Sequence, residues 1–296
     1  MGSETDKLRE GHYRTRMPRW LHRPIRSGGN IREVDYILRS LELNTVCESA
    51  RCPNRMECFS RRTATFMIMG DTCTRNCAFC SVRKGEPSPL DEGEPGRVAE
   101  AATVMGLRHV VVTSVTRDDL PDGGAAHFAE TIKSIKDILP AASVEVLTPD
   151  FGGDGDALAR VLERGPEVFN HNLETVESLY SRVRPEAAYR RSLGVLRLVR
   201  ELNAEAKTKS GLMVGLGESR EQLRRAFEDL AEAGCEMLTI GQYLRPSRDQ
   251  IEVDRFLPPE EFEELKREAE KEGILLVASG PFVRSSYRAK ELLDMM

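Results

Sequence analysis

From Thr65 onward, short apolar runs alternate with helix-period segments at intervals of roughly thirty residues, the pattern of repeated βα units on a parallel sheet. The runs predict strands over 65–69, 108–114, 143–147, 168–172, 208–214 and 236–243, with 274–278 as a candidate seventh. Between them, 98–105, 125–139, 156–163, 191–202 and 220–233 read as helices. Ser219 and Gln222 form a capping box at the start of the last of these, and Gly234 stands where a left-handed cap ends it. The expected class is α/β, a partial (β/α)6 TIM-type barrel with N-terminal and C-terminal extensions. Its boundaries are expected at 1–60, 61–272 and 273–296. In such a sheet, chemistry collects beyond the C-terminal ends of the strands.

Composition narrows the function classes. At 40% hydrophobic and 31% charged residues, this is the composition of a folded globular chain, and no apolar run reaches the ~18 residues of a membrane span. A formal net charge of −5 argues against nucleic acid as a partner, because phosphate neutralisation needs a broad basic surface. A local exception is the arm carrying Lys7, Arg9, Arg14, Arg16, Arg19, Arg23 and Arg26 against a single acid, Glu10. It reads either as a solvated tail or as a dock for an acidic protein. No secretory signal opens the sequence, so a cytoplasmic location is expected, where clustered thiols favour metal or redox chemistry over disulfides.

Six of the seven cysteines fall in two triplets. Cys73, Cys77 and Cys80 give C-x3-C-x2-C in the loop after the first predicted strand, and Cys47, Cys52 and Cys58 give C-x4-C-x5-C before it. Three thiolates converging on an iron-sulfur cubane leave one iron without a protein ligand, open to the amine and carboxylate of an amino-acid cofactor. Structural zinc is the alternative, although zinc sites close with four ligands and the 73–80 loop holds no His. Cys235, between a capped helix and an apolar strand, reads as a core residue.

The 73–80 loop, with Phe79 inside it, resembles the radical S-adenosylmethionine superfamily. Both triplets in this order, followed by Thr113-Ser-Val-Thr-Arg-Asp-Asp-Leu120, Asn170-His-Asn-Leu-Glu-Thr175, Lys209-Ser-Gly-Leu-Met-Val-Gly-Leu-Gly-Glu218, Gly241-Gln-Tyr-Leu244 and Arg284-Ser-Ser-Tyr287, are similar to the lipoyl synthase family. Phe59 stands where that family usually has Trp, and Thr116 where it usually has Asp. The resemblance implies two [4Fe-4S] clusters and S-adenosylmethionine. Cys73, Cys77 and Cys80 would hold the first cluster, and Cys47, Cys52 and Cys58 the second. The second would be completed by a serine of the R-S-S-Y motif, which points to Ser286, although the sequence alone does not separate it from Ser285.

Two sulfurs would enter at carbons 6 and 8 of an octanoyl chain on a lysine of a carrier, with the second cluster as sulfur donor. Those C–H bonds have no activating neighbour, which suits the lack of a visible acid-base triad. Expected partners are octanoylated lipoyl carriers (the glycine cleavage H protein and the E2 lipoyl domains of 2-oxoacid dehydrogenases), an electron donor and an iron-sulfur repair protein. Phe79, Asn172, Glu174, Arg184, Gly211 and Gly215 are the expected S-adenosylmethionine contacts, a strand-to-helix turn being the alternative for the glycines. Arg117, Asp118 and Asp119 read as an ion-paired turn, and His171 as a polar residue inside the barrel. Competing readings are a relative of biotin synthase or of the methylthiotransferases, and a nonenzymatic cluster carrier.

Overall fold

The computed structural model describes residues 17–24 and 28–296. Of the basic arm, Arg19 and Arg23 are described, whereas Lys7, Arg9, Arg14, Arg16 and Arg26 lie outside the described residues.

Eight strands form one sheet in chain order: β1 (Asn44–Thr45), β2 (Thr65–Ile68), β3 (His109–Ser114), β4 (Ser143–Leu147), β5 (Val168–Asn170), β6 (Lys207–Val214), β7 (Met237–Gln242) and β8 (Leu276–Gly280). Only β1 runs antiparallel, Asn44 facing Met67; every later pair is parallel, from Thr65 opposite Val111 to Leu276 opposite Met237. The two ends of the order do not pair, so this is the expected α/β parallel sheet in open form. The long helices are α1 (Gly29–Ser40), α2 (Glu94–Val104), α3 (Ala125–Ile138), α4 (Gly155–Leu162), α5 (Tyr189–Leu202), α6 (Arg220–Glu232) and α7 (Pro259–Lys271), followed by a short α8 (Ala289–Leu293). No described helix is long and apolar enough to cross a membrane.

Where the observed elements differ from the sequence expectation, local chemistry explains it. The last strand starts two residues later than expected because Ile274 is used by the preceding helix: its N–H bonds to Ala269 O across the left-handed Gly273 (φ +107°). Helix α7 was not expected from periodicity, but Pro259 occupies its first position, Glu260 and Glu261 its first turn and Lys271 its last, each favourable for the helix dipole. Helix α1 buries Ile31, Val34, Ile37 and Leu38 along one face. The capping box of Ser219 and Gln222 is present, with both hydrogen bonds formed.

The interior is not wholly apolar. Glu145 of β4 and Lys209 of β6, each 1% exposed, pair at 2.8 Å; Asn170 Nδ2 donates to Glu145 at 3.2 Å, and His109 Nε2 lies 3.5 Å away. At the same end of the sheet, Leu292 of α8 packs with Val168 and Met237, the first residues of β5 and β7. Helix α8 is therefore anchored under the strand starts. The segment linking β8 to α8, which contains the R-S-S-Y motif, runs along the interior: Val283 O sits so close to Gly241 that a Cβ there would meet it at 2.1 Å.

Candidate functional site

After β2 the chain turns through left-handed Met69 and Gly70 into the Cys73–Cys80 loop. The turn is pinned by buried Glu94, which accepts the Met69 N–H at 2.7 Å and holds His127 at 2.8 Å. Loops beyond four other strands then fasten the cysteine loop. Thr116 N–H donates to Cys73 Sγ at 3.3 Å, Asn76 N–H to Glu186 at 2.6 Å, Ala78 N–H to Val183 O at 2.9 Å, and Ile251 N–H to Ala78 O at 2.9 Å. Arg75, 7% exposed, forks between Asp118 (2.7 and 2.8 Å) and fully buried Asp150 (2.7 Å). Burial opposes the charge on Asp150, but Arg75 more than offsets it and brings that carboxyl down to about 2. Sequence reading did not single out Arg75; the available signal was a charge inside a loop that has to pack. Asp118 is thus drawn away from the expected ion-paired turn, which Arg117 and Asp119 form alone at 2.8 Å.

Asn172, Glu174 and Arg184 gather beside Cys77. Glu174 adopts left-handed backbone (φ +68°), held by its N–H to Gly211 O (2.8 Å) and its carbonyl to Met213 N–H (2.8 Å). A strained non-glycine residue of this kind persists only where its surroundings fix it. Arg184 donates to Asn172 O at 3.0 Å and to Tyr180 Oη at 3.2 Å; burial opposes its charge, but Tyr180, Glu174 and Cys77 together raise its pKa. Phe79 packs with Val183, Leu216 and Tyr243 at the edge of this group. His171 Nδ1 faces Thr148 O at 2.9 Å and so carries the proton. Burial, then Arg184, lowers its pKa to about 4, leaving the ring neutral.

The two glycines have different duties. A Cβ on Gly211 would come within 2.7 Å of Asn172 Oδ1 and 2.9 Å of both Ser285 Oγ and Thr239 Oγ1, so the close approach there is by protein side chains. Gly215 is left-handed (φ +93°) with its N–H on Glu218 Oε1 at 2.6 Å, a strand-to-helix turn. Replacing Gly211 by Ala would push Asn172 and Ser285 apart at an overpacking cost of about 1–3 kcal/mol. The expected result is S-adenosylmethionine binding about tenfold weaker, measured by anaerobic equilibrium dialysis; an unchanged affinity would show that this trio does not shape the pocket.

The other triplet lines a cavity of about 140 Å³ with Thr65, Arg284, Ser286 and Tyr287 among its walls. Cys47 lies on a short helix, Val46–Ser49, capped by Thr45, and Cys58 on another, Arg55–Ser60. Burial pushes the Cys47 thiol up to about 12 and Cys58 to about 11, and Cys80 in the other triplet is raised to about 12 in the same way. Metal loading would therefore release protons. Three contacts stitch the C-terminal segment to this cavity: Asn54 Nδ2 to Phe282 O (2.7 Å), Thr65 Oγ1 to Ser286 Oγ (2.8 Å), and Tyr287 Oη to Glu57 Oε1 (3.0 Å). Arg23 holds the other Glu57 oxygen at 2.5 Å and lies 4.0 Å over the Phe282 ring. Ser285 points elsewhere, 2.9 Å from Asn172 Oδ1. The fold therefore separates two adjacent serines that the sequence could not. Cys235 lies apart from both triplets, 3% exposed, its thiol donating to Met237 O.

A family model of the radical SAM superfamily matches residues 67–230, and one of the N-terminal domain of lipoyl synthase matches residues 3–52. A lipoyl synthase of Caldanaerobacter subterraneus subsp. tengcongensis is 58% identical over 274 residues, covering 93% of this chain and 96% of its own. The chain belongs to the lipoyl synthase family. A second family member, from Symbiobacterium thermophilum, is 54% identical over 277 residues, covering 94% and 87% of the two chains. Among solved structures, methylornithine synthase superposes with a TM-score of 0.52 at 15% identity over 90% of this chain and 92% of its own, a likeness of fold alone. As a lipoyl synthase the chain is a radical SAM sulfurtransferase, a membership that brings one [4Fe-4S] cluster, S-adenosylmethionine, and octanoylated lipoyl carriers as substrates.

The residues present fit such a cofactor. Three thiols share one anchored loop beside a cationic Arg184 whose Nε is buried without a partner, and the buried His171 Nε2 acceptor is likewise unmet among the described residues. An unfilled guanidinium donor suits a carboxylate. The family departures do not disturb this arrangement. Thr116 acts through its backbone N–H, which any residue supplies, and Phe59 is fully buried beneath Arg55. Among the described residues no three His, Cys, Asp or Glu converge as ligands of a single metal ion would.

Proposed function

We infer that the enzyme inserts sulfur at carbons 6 and 8 of an octanoyl group carried on a lysine, with a second cluster, held by Cys47, Cys52, Cys58 and Ser286, as the sulfur-donating substrate. The observation that carries this reading is the cavity itself, whose wall brings a hydroxyl from the C-terminus to three thiols from the N-terminus. An alkoxide is a hard, readily protonated ligand, suited to release when the donor is dismantled. Cys73, Cys77 and Cys80 would hold the other cluster, which with S-adenosylmethionine supplies a carbon radical strong enough to take hydrogen from an unactivated C–H bond.

The chain's own groups bind and orient. Arg184 and Asn172 would hold the methionine carboxylate and ribose, neutral His171 would accept one hydrogen bond at Nε2, and Phe79 would bound the nucleotide. Arg75 keeps the cysteine loop seated on Asp118 and Asp150. The working division is an N-terminal extension (1–60) and a C-terminal extension (273–296) that together make the sulfur-donor site on a radical SAM core (61–272), although β8 itself pairs in the sheet. Carriers would be the glycine cleavage H protein and E2 lipoyl domains, served in the cytoplasm by an electron donor and an iron-sulfur repair protein. The basic arm would favour an acidic carrier surface.

The test is anaerobic turnover of reconstituted protein with reductant, S-adenosylmethionine and an octanoyl-lysine peptide, read by mass spectrometry. Dithiolated peptide with 5'-deoxyadenosine is the expected result. Deoxyadenosine without thiolation would overturn the sulfur-donor assignment, and neither product from protein carrying both clusters would favour a carrier.

A further inference from the structure

Two neighbouring serines of the R-S-S-Y segment face different sites. Ser286 Oγ accepts from Thr65 in the wall of the Cys47–Cys52–Cys58 cavity, whereas Ser285 Oγ is 2.9 Å from Asn172 Oδ1. Asn172 Nδ2 donates to Glu174 Oε1 at 3.0 Å. The Asn172 amide turns its NH2 to Glu174 and its oxygen to Ser285, and an amide oxygen only accepts, so Ser285 is the donor. The chain of bonds is therefore directional: Ser285 Oγ–H to Asn172, and Asn172 to Glu174. It crosses directly over Gly211, where a Cβ would strike both Asn172 Oδ1 and Ser285 Oγ. Preceding Ser285, Arg284 lines the same cavity as Ser286. Three consecutive residues thus span the interval between the two triplets.

We propose that Ser285 is a positioning residue that couples the two centres: by holding Asn172 it completes the S-adenosylmethionine pocket, and by the same bond it fixes the segment that presents Ser286 to the second cluster. This deepens the function proposed above and rests on it. The coupling is reciprocal, so occupancy of the nucleotide site steadies the serine at the donor cavity and loss of the bond weakens both. A single hydrogen bond of this kind changes affinity about fivefold to tenfold.

The experiment uses full-length protein loaded with both clusters under anaerobic conditions, and compares wild type with Ser285→Ala, Ser285→Thr, Asn172→Ala and the Ser285→Ala/Asn172→Ala pair. Equilibrium dialysis gives the affinity for S-adenosylmethionine, and release of iron to a chelator, followed by visible absorbance, gives the lability of the second cluster. Ser285→Ala is expected to bind about fivefold to tenfold more weakly, with Ser285→Thr restored towards wild type and the pair no worse than Asn172→Ala alone. Saturating S-adenosylmethionine is expected to slow iron release in wild type and not in Ser285→Ala. Additive losses in the pair, or a Ser285→Ala variant that binds and is protected like wild type, would overturn the proposal. Should Ser285→Ala fail to load, Ser285→Thr decides: protection retained supports the coupling, and protection lost overturns it. Wild-type protein that does not bind S-adenosylmethionine would instead sink the functional reading beneath it.

Discussion

Cys73→Ala is expected to reduce cleavage of S-adenosylmethionine to background, whereas Cys52→Ala keeps cleavage and loses sulfur insertion. The two residues sit in separately built sites. Cys73 belongs to a loop fastened by Thr116, Arg75 and Ala78 to the far ends of the strands, and Cys52 to a cavity made by the two chain ends. Removing one thiolate would take a ligand from that centre alone and leave the other ligand set intact. Separate mass-spectrometric readings of 5'-deoxyadenosine and thiolated octanoyl-lysine peptide check the division, with circular dichroism confirming that both variants fold. Loss of deoxyadenosine in both folded variants would end the idea that the triplets work independently.

Lys209→Met is expected to cost about 3–5 kcal/mol, because it strands a buried carboxylate without its cation. Glu145 is 1% exposed and held by Lys209 at 2.8 and 3.1 Å; burial resists its charge, and Lys209 with His109 brings its pKa below the ordinary value. Its contribution to stability is therefore present above the usual carboxylate pKa and is lost as pH falls through the depressed folded value. A loss of this size is a large share of the 5–15 kcal/mol that typical domains possess. The urea midpoint measured by circular dichroism should fall sharply for Lys209→Met and recover in large part in Glu145→Leu/Lys209→Met, where no charge is left unpaired. Equal losses in the single and double variants would show that packing volume, not charge, sets the cost.

Most of the parallel sheet was legible because each unit announces itself locally. A four-to-eight-residue apolar run, a helical period and a Gly or capping box at the boundary are properties of neighbours in sequence, and Ser143–Leu147 or Arg220–Glu232 follow from them almost residue for residue. Both cysteine triplets were legible for the same reason, since their spacing is short. Helix α7 was missed because its surface is largely charged, with the apolar contacts confined to Phe262, Leu265 and Ala269.

What the sequence determined by itself is therefore the set of parts: the βα units, two thiol triplets, and a C-terminal motif with two adjacent serines. Only the tertiary structure decided which serine faces which site, that Asp118 serves Arg75 rather than its own turn, and that Gly211 makes room for Asn172 and Ser285. The hydrogen bonds among those contacts join residues between 43 and 221 positions apart, from Arg75 with Asp118 to Thr65 with Ser286. Local propensity carries no information at that range. The direction of a side chain there is set by which strand ends the open sheet brings together, and by helix α8 anchoring the last segment beneath them.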